Sequence, residues 1–200
     1  MLRRQRRAGT PADLLVVGLG NPGKEYERTR HNVGAETVLT LARRHDAHLR
    51  PYQGQATTDE VVIGGRRLAL GIPLTYMNES GAPVASLVRR YDVDPQQVVI
   101  VQDELDLPTG VVKVKAGGGL AGHNGLRSIE RHLKSRDFLR VRIGIGKPPD
   151  PRRGADHVLK GFSKADREAI DVAIEIAADA CEAVLAEGVE AAMTRFNARA

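Results

Sequence analysis

The 200-residue chain has no tryptophan, a single cysteine and only 4% aromatic residues. Each shortage removes a class of function. One cysteine, Cys181, excludes an internal disulfide and a thiolate zinc cluster, and fits a reducing cytoplasm. Recognition by large aromatic stacking platforms is disfavoured when aromatics are this scarce. No apolar run approaches the roughly 20 residues of a membrane helix. The arginines near the N-terminus precede no apolar stretch of the kind a secretory signal requires. The nucleophile elbow G-x-S-x-G of serine hydrolases is absent. Cys181 falls on the apolar face of a C-terminal helical pattern, a poor setting for a thiol nucleophile.

What is present suits one soluble domain. Hydrophobic content of 42% is ordinary for a globular protein, and the length supports a substantial core. A formal net charge of +5 and a pI of about 9.6 favour an anionic partner. The charge is uneven. Arg3, Arg4, Arg6 and Arg7 form a basic arm, residues 1–12, expected to be flexible and separate from a domain over 13–200. No repeat, low-complexity tract or long linker divides the rest. Lys113 and Lys115 alternate with Val112 and Val114, which places both ammonium groups on one strand face. Gly117, Gly118 and Gly119 follow, then Arg127, Arg131, Arg140 and Arg142. Cations gathered around a mobile, glycine-rich loop suit contact with phosphate, although basic residues on a strand face also serve solubility alone.

Apolar runs rich in Val, Ile and Leu predict strands at 14–19, 61–63, 68–72, 98–102, 111–115 and 139–145. Helices are predicted at 32–44, from 78 or 80 to 91, at 124–133 and from an N-cap at Ser163 to Glu187, with a short terminal helix through Met193 and Phe196. Gly64-Gly65 between two strand patterns implies a hairpin, so the sheet must be mixed. The expected fold is α/β, a single three-layer domain with a twisted mixed β-sheet flanked by helices.

Polar equipment concentrates where predicted strands end. Gly18, Gly20 and Gly23 match the dinucleotide pattern G-x-G-x-x-G, but Pro22-Gly23 and the aperiodic 24–28 segment interrupt the path into a helix, so no nucleotide cofactor is expected. His31 and Asn32 come just beyond. Three further clusters are Pro73 to Gly81, Gln102 to Pro108 and Gly117 to Gly125, the last carrying His123 and Asn124. Taken singly, Asn78 and Asn124 read equally as helix caps, Asp103 as a turn acid and His123 as a surface residue. Taken together with Asn21, they assemble amides, imidazole and a carboxylate at sheet-edge loops, where open α/β folds place their sites. His45 and His48 are spaced for one helix face but lack a third ligand, so no metal is expected; His132 and His157 read as structural or solvated.

GLGNPGKEYERTRHNVG, TYMNESG, DELDLP, GGGLAGHNGLRSI and FLRVRIGIGKP, in that order, resemble the bacterial peptidyl-tRNA hydrolase family, and the ending EAAMTRFN is similar as well. The likeness spans roughly residues 14–197. One departure is Ile72, where the family usually has lysine; the arginine arm also lies outside the family pattern. The resemblance implies a cytoplasmic, monomeric, cofactor-free and metal-free enzyme that hydrolyses the ester between a peptide and tRNA, recycling tRNA from stalled translation. It implies His31 and Asp103 as catalytic residues, with His31 the general base and Asp103 holding its ring. Substrate contacts are implied at Asn21, Tyr26, Asn32, Tyr76, Met77, Asn78, His123 and Asn124, and a 5′-phosphate clamp at Lys115 and Arg142. A non-catalytic RNA-binding module on the same fold is the rival from another class; the intact His31 and Asp103 argue against it.

Overall fold

The computed structural model describes residues 11–148 and 150–198. Most of the arm, including Arg3, Arg4, Arg6 and Arg7, lies outside the described residues. Ala12, assigned to the arm from sequence, is buried and donates its N–H to the Tyr91 carbonyl at 3.0 Å.

Leu14–Gly18 (β1) is buried at every residue, as a strand covered on both faces must be. It pairs in parallel with both Arg66–Pro73 (β4) and Val98–Glu104 (β5), and β5 pairs in parallel with Leu139–Gly144 (β7). Three antiparallel strands complete a seven-stranded mixed sheet: Arg50–Tyr52 (β2), Ala56–Ile63 (β3) and Val112–Ala116 (β6), in the order β2-β3-β4-β1-β5-β7-β6. Gly64 and Gly65, at φ 57° and 81°, form the two-residue turn that joins β3 to β4. Both take a left-handed backbone that a twisted hairpin demands and a side chain resists.

One face of the sheet is covered by Val33–Arg44 (α1) and Lys164–Glu187 (α5), supported by Val189–Asn197 (α6). The other is covered by Gly81–Tyr91 (α2) and Asn124–Leu133 (α3). This is the expected three-layer α/β arrangement. Ser163 caps α5, its Oγ accepting the Asp166 N–H at 3.1 Å. Cys181 is buried on α5, and burial pushes its thiol far above the ordinary range, so it stays protonated and inert. At the open edge, the Asn197 amide accepts the Val114 N–H at 2.8 Å and donates to its carbonyl at 2.9 Å, closing part of β6 against pairing with another chain.

The structure corrects several sequence expectations. β3 begins at Ala56 rather than 61, because its first half alternates buried and half-exposed residues, polar after Ala56, instead of forming an apolar run. β2 is three mostly exposed residues around Pro51, and Gly154–Val158 (α4) is five residues with none buried; neither carries a periodic signal. α2 starts at Gly81, leaving Asn78 in a separate 3-10 turn, Met77–Glu79. His45 terminates α1 and His48 sits in the following loop, so they do not share a helix face; His45 instead reaches Glu182 at 2.9 Å.

Candidate active site

The chain leaves β1 toward β4 on one side of the sheet and reaches β5 on the other, so a crevice opens outside the carboxyl ends of β1 and β5. Leu19 fixes this edge: its N–H donates to the Val101 carbonyl at 3.0 Å and its own carbonyl accepts the Ala35 N–H at 2.9 Å. Gly34 makes the contact possible, since a Cβ there would lie 2.2 Å from the Val101 oxygen. The backbone of α1 therefore docks directly on the sheet edge, and the short turn before it, Arg30–Asn32, brings His31 onto the end of β5. After Gly23 the chain forms a 3-10 turn, Lys24–Tyr26, rather than the helix a dinucleotide motif requires.

His31 Nδ1 lies 2.7 Å from Asp103 Oδ1, in a bond that is buried on both sides. The same oxygen lies 3.0 Å from His123 Nε2, and the two rings stand 5.2 Å apart at 49°. Burial opposes ionisation of Asp103, but the two imidazoles outweigh it and hold the carboxyl well below the usual carboxylate range. An ionised Asp103 accepts only, so each histidine donates. His31 then keeps its proton on Nδ1 and leaves Nε2 as an acceptor, without a hydrogen-bond partner among the described residues. His31, Asp103 and His123 could each offer one ligand atom to a metal, the atoms lying within 4.8 Å of one another. Those atoms already face one another at hydrogen-bond distance, and a cation bonded to all three at about 2.0–2.2 Å would have to displace both bonds.

Asn21 and Asn32 interlock. The Asn21 N–H donates to Asn32 Oδ1 and its carbonyl accepts from Asn32 Nδ2, both at 2.9 Å, so Asn32 is largely spent on shaping the Asn21 turn. Asn21 Oδ1 accepts the Met77 N–H at 2.8 Å, which leaves the Asn21 amide nitrogen as the uncommitted donor. Met77 is buried, and its sulfur would lie 2.7 Å from a Cβ on Gly125, at the head of α3. Asn78 and Asn124 are therefore carried by touching elements, both exposed and without a side-chain bond among the described residues. Neither is a cap: His123 caps α3, accepting the Leu126 N–H, and Ser80 holds the cap position of α2. Tyr26 and the exposed Tyr76 meet edge to face at 6.3 Å beside this cluster.

Lys115 and Arg142 lie on the antiparallel pair β6 and β7. Cross-strand register pairs Lys113 with Arg142 and Lys115 with Arg140, so all four cations share one sheet face. Arg142 is held by buried Glu104 at 3.0 Å, and Lys113 Nζ donates to the Asn197 carbonyl at 2.6 Å. Arg140 is 1% exposed and donates to the carbonyls of Gly117 and, at 2.7 Å, Gly119. The glycine loop, expected to be mobile, is thus pinned from beneath. Lys115 has no hydrogen bond or ion pair among the described residues; a Cβ on Gly118 would sit 3.2 Å from its Nζ. Ile72, in place of the usual lysine, is half-buried against the α1–α5 core.

Sequence reasoning missed the bond between His123 and Asp103, which joins two motifs twenty positions apart. The only available signal was that both adjoin predicted strand or helix ends. It also missed that Arg140 supports the loop rather than facing solvent. His132 reaches the Ser128 carbonyl at 2.9 Å and His157 the Gly146 carbonyl at 3.1 Å, structural roles in agreement with the sequence reading.

A family model described as peptidyl-tRNA hydrolase matches residues 15–200. A peptidyl-tRNA hydrolase of Leifsonia xyli subsp. xyli is 48% identical over 185 residues, covering 92% of this chain and 96% of that protein. One of Nocardia farcinica is 50% identical over 184 residues, covering 92% and 95%. The crystal structure of peptidyl-tRNA hydrolase from Acinetobacter baumannii superposes with a TM-score of 0.89 at 38% identity, covering 95% of this chain and 98% of that one.

Proposed function

The chain belongs to the peptidyl-tRNA hydrolase family and is a hydrolase acting on peptidyl-tRNA, and we propose that it cleaves the ester between peptide and tRNA by water activated at His31, without a metal ion. The observation that carries this reading is the 2.7 Å bond between His31 Nδ1 and the buried Asp103 carboxylate. Asp103 holds one tautomer and stabilises the imidazolium that forms when Nε2 takes a proton from water. The resulting hydroxide attacks the ester carbonyl, and the proton on Nε2 passes to the departing ribose oxygen. Metal activation of the water is not needed in this scheme, because the three would-be ligands are engaged with one another.

The amides divide the remaining work. Asn21, Asn78 and Asn124 donate to the peptide carbonyl, the water and the developing oxyanion; a single oriented donor of this kind is typically worth about 10²–10³ in rate. Asn32 and Met77 position Asn21. Tyr26 and Tyr76 form an apolar wall for the peptide. Lys115 and Arg142 take the 5′-phosphate of tRNA. In this reading the enzyme works as a cytoplasmic monomer in translation, and the basic arm is an appendage to the domain. No helix among the described residues is long and apolar enough to cross a membrane.

The deciding experiment is turnover of N-acetyl-aminoacyl-tRNA with and without a chelator. Full activity under chelation supports the scheme. Activity lost on chelation and restored by a divalent ion overturns its metal-free part, and tRNA binding without hydrolysis favours the non-catalytic module.

A further inference from the structure

We infer that Arg30 is a positioning residue for His31, whose turn it fastens to α4 and residues 159–162. The inference rests on the reading of His31 as the base. His31 is the middle residue of the short 3-10 turn Arg30–Asn32, and Thr29, just before it, gives the turn no side-chain cap. Thr29 bonds within its own loop instead, its N–H and hydroxyl both reaching the Tyr26 carbonyl. One backbone bond, from the Asn32 N–H to the Thr29 carbonyl at 3.1 Å, closes the turn from within. A single turn closed by one bond does not hold its own geometry in water. α1 anchors it on the C-terminal side, so the N-terminal side needs an anchor of its own.

Arg30 supplies it. Its N–H donates to the Lys160 carbonyl at 3.0 Å, and Thr29 and Gly161 form an isolated antiparallel bridge. The side chain follows the same path: Nη1 donates to the Gly161 carbonyl at 2.5 Å and lies 3.2 Å from that of Lys160. The guanidinium stands 4.8 Å from the centre of the Phe162 ring, and Arg167 stands 5.9 Å from the same ring. Arg167 in turn grips both oxygens of Glu36, in the first turn of α1, at 3.1 and 2.5 Å. One cluster thus holds the His31 turn from both sides. Farther along, a Cβ on Gly154 would lie 3.9 Å from Leu105 Cδ1, just past β5, and His157 reaches the Gly146 carbonyl beyond β7. α4 therefore lies over the carboxyl ends of β5 and β7 and touches the His31 turn.

Stability alone does not account for this arrangement. Among the described residues, the side-chain hydrogen bonds of Arg30 end on backbone carbonyls, and its Nε is buried without a partner. An unpaired buried donor is destabilising. Burial also works against the charge, and Asp166 in the first turn of α5 offsets this only in part. What the arrangement secures is direction. A planar guanidinium can brace two successive carbonyls and stack on a ring at once, which an apolar side chain filling the same space cannot do.

The test is Arg30→Ala on N-acetyl-aminoacyl-tRNA, alone and combined with His31→Ala. Positioning predicts kcat lowered about tenfold to a hundredfold, the loss expected when a reacting group shifts by about 1 Å, with KM within about twofold of wild type. In the His31→Ala background the same change should lower the residual rate by less than about twofold, because the group being positioned is gone. Arg30→Lys, which keeps a donor for the carbonyls, should recover part of kcat. Proton NMR gives a readout independent of turnover. The Nδ1–H that His31 shares with Asp103, assigned by its absence in His31→Ala, should shift or broaden in Arg30→Ala. A rate loss equal with and without His31 overturns the proposal, as does a raised KM with a flattened salt slope, which would make Arg30 a phosphate contact. A lowered melting point with unchanged kcat and unchanged resonance assigns Arg30 to stability alone and likewise overturns it. If Arg30→Ala does not fold, Phe162→Leu removes the stacking ring and keeps apolar bulk; it should lower kcat in the same sense, and an unchanged kcat and resonance there overturns the proposal. If wild type does not cleave the ester, the catalytic reading fails, and the resonance still decides whether Arg30 positions His31.

Discussion

His123 donates Nε2–H to Asp103 Oδ1 at 3.0 Å while its Nδ1 accepts the Leu126 N–H at 3.4 Å. One imidazole thus caps α3 and braces the carboxylate that orients His31. Its tautomer is set by the helix end, since an Nδ1 that accepts leaves the proton on Nε2. His123 is a positioning residue in this geometry. His123→Ala is expected to lower kcat by about an order of magnitude, the worth of one hydrogen bond, and to cost about 1 kcal/mol of stability through the lost cap. His123→Asn should restore much of the rate. A rise in KM alone would instead make His123 a substrate contact.

His31→Ala is expected to lower kcat by at least about 10²-fold while leaving the fold and tRNA affinity near wild type, because the neighbouring imidazole, His123, has both ring nitrogens engaged. Asp103→Asn should slow turnover strongly but incompletely, since it disturbs the tautomer and not the base itself. Kinetics on N-acetyl-aminoacyl-tRNA check both. His31→Ala within about threefold of wild type would end the general-base assignment.

Asp103 also predicts an acid-side stability change. Its carboxyl ionises more readily folded than unfolded, so ionisation favours the native state. That contribution is complete above the unfolded value of about 3.9 and is lost as pH falls below it. Melting curves should show Asp103→Asn less stable than wild type near pH 7, with the gap narrowing below about pH 4. A gap that widens on acidification would show the shift to have the opposite sign.

Asn78→Ala and Asn124→Ala are each expected to reduce kcat/KM by about one to three orders of magnitude, the effect of a lost oriented donor. Since neither side chain caps a helix, melting points should barely move. Unchanged rates with lower melting points would return both residues to a structural role.

Lys115 and Arg142 are not equivalent tests of a phosphate clamp. Lys115→Ala should raise KM for tRNA and flatten its salt dependence by about one unit, without loss of stability. Arg142→Ala strands the buried Glu104 carboxylate, and breaking such a pair costs about 3–5 kcal/mol, so lower stability should accompany its binding defect. Thermal melts beside salt titrations separate the effects. A Lys115→Ala enzyme with wild-type KM and salt slope would move the clamp elsewhere.

Sequence alone determined the layers and the family. Apolar runs of the right period marked the buried strands β1 and β5 and the long helix α5, because burial on one or both faces writes itself into residue spacing. Ordered motifs such as GLGNPGKEYERTRHN and GGGLAGHNGLRSI marked the loops that carry His31, Asn21 and Asn124. The exposed β2 and the five-residue α4 left no such trace, since neither buries a periodic face. Only the tertiary structure decided what the polar residues do there. It gave Asp103 two histidines, spent Asn32 on the Asn21 backbone, removed Asn78 and Asn124 from the helix caps and buried Arg140 beneath the glycine loop. Hydrogen-bond partners are chosen by distance and angle across segments far apart in the chain, and spacing along a sequence carries no record of either.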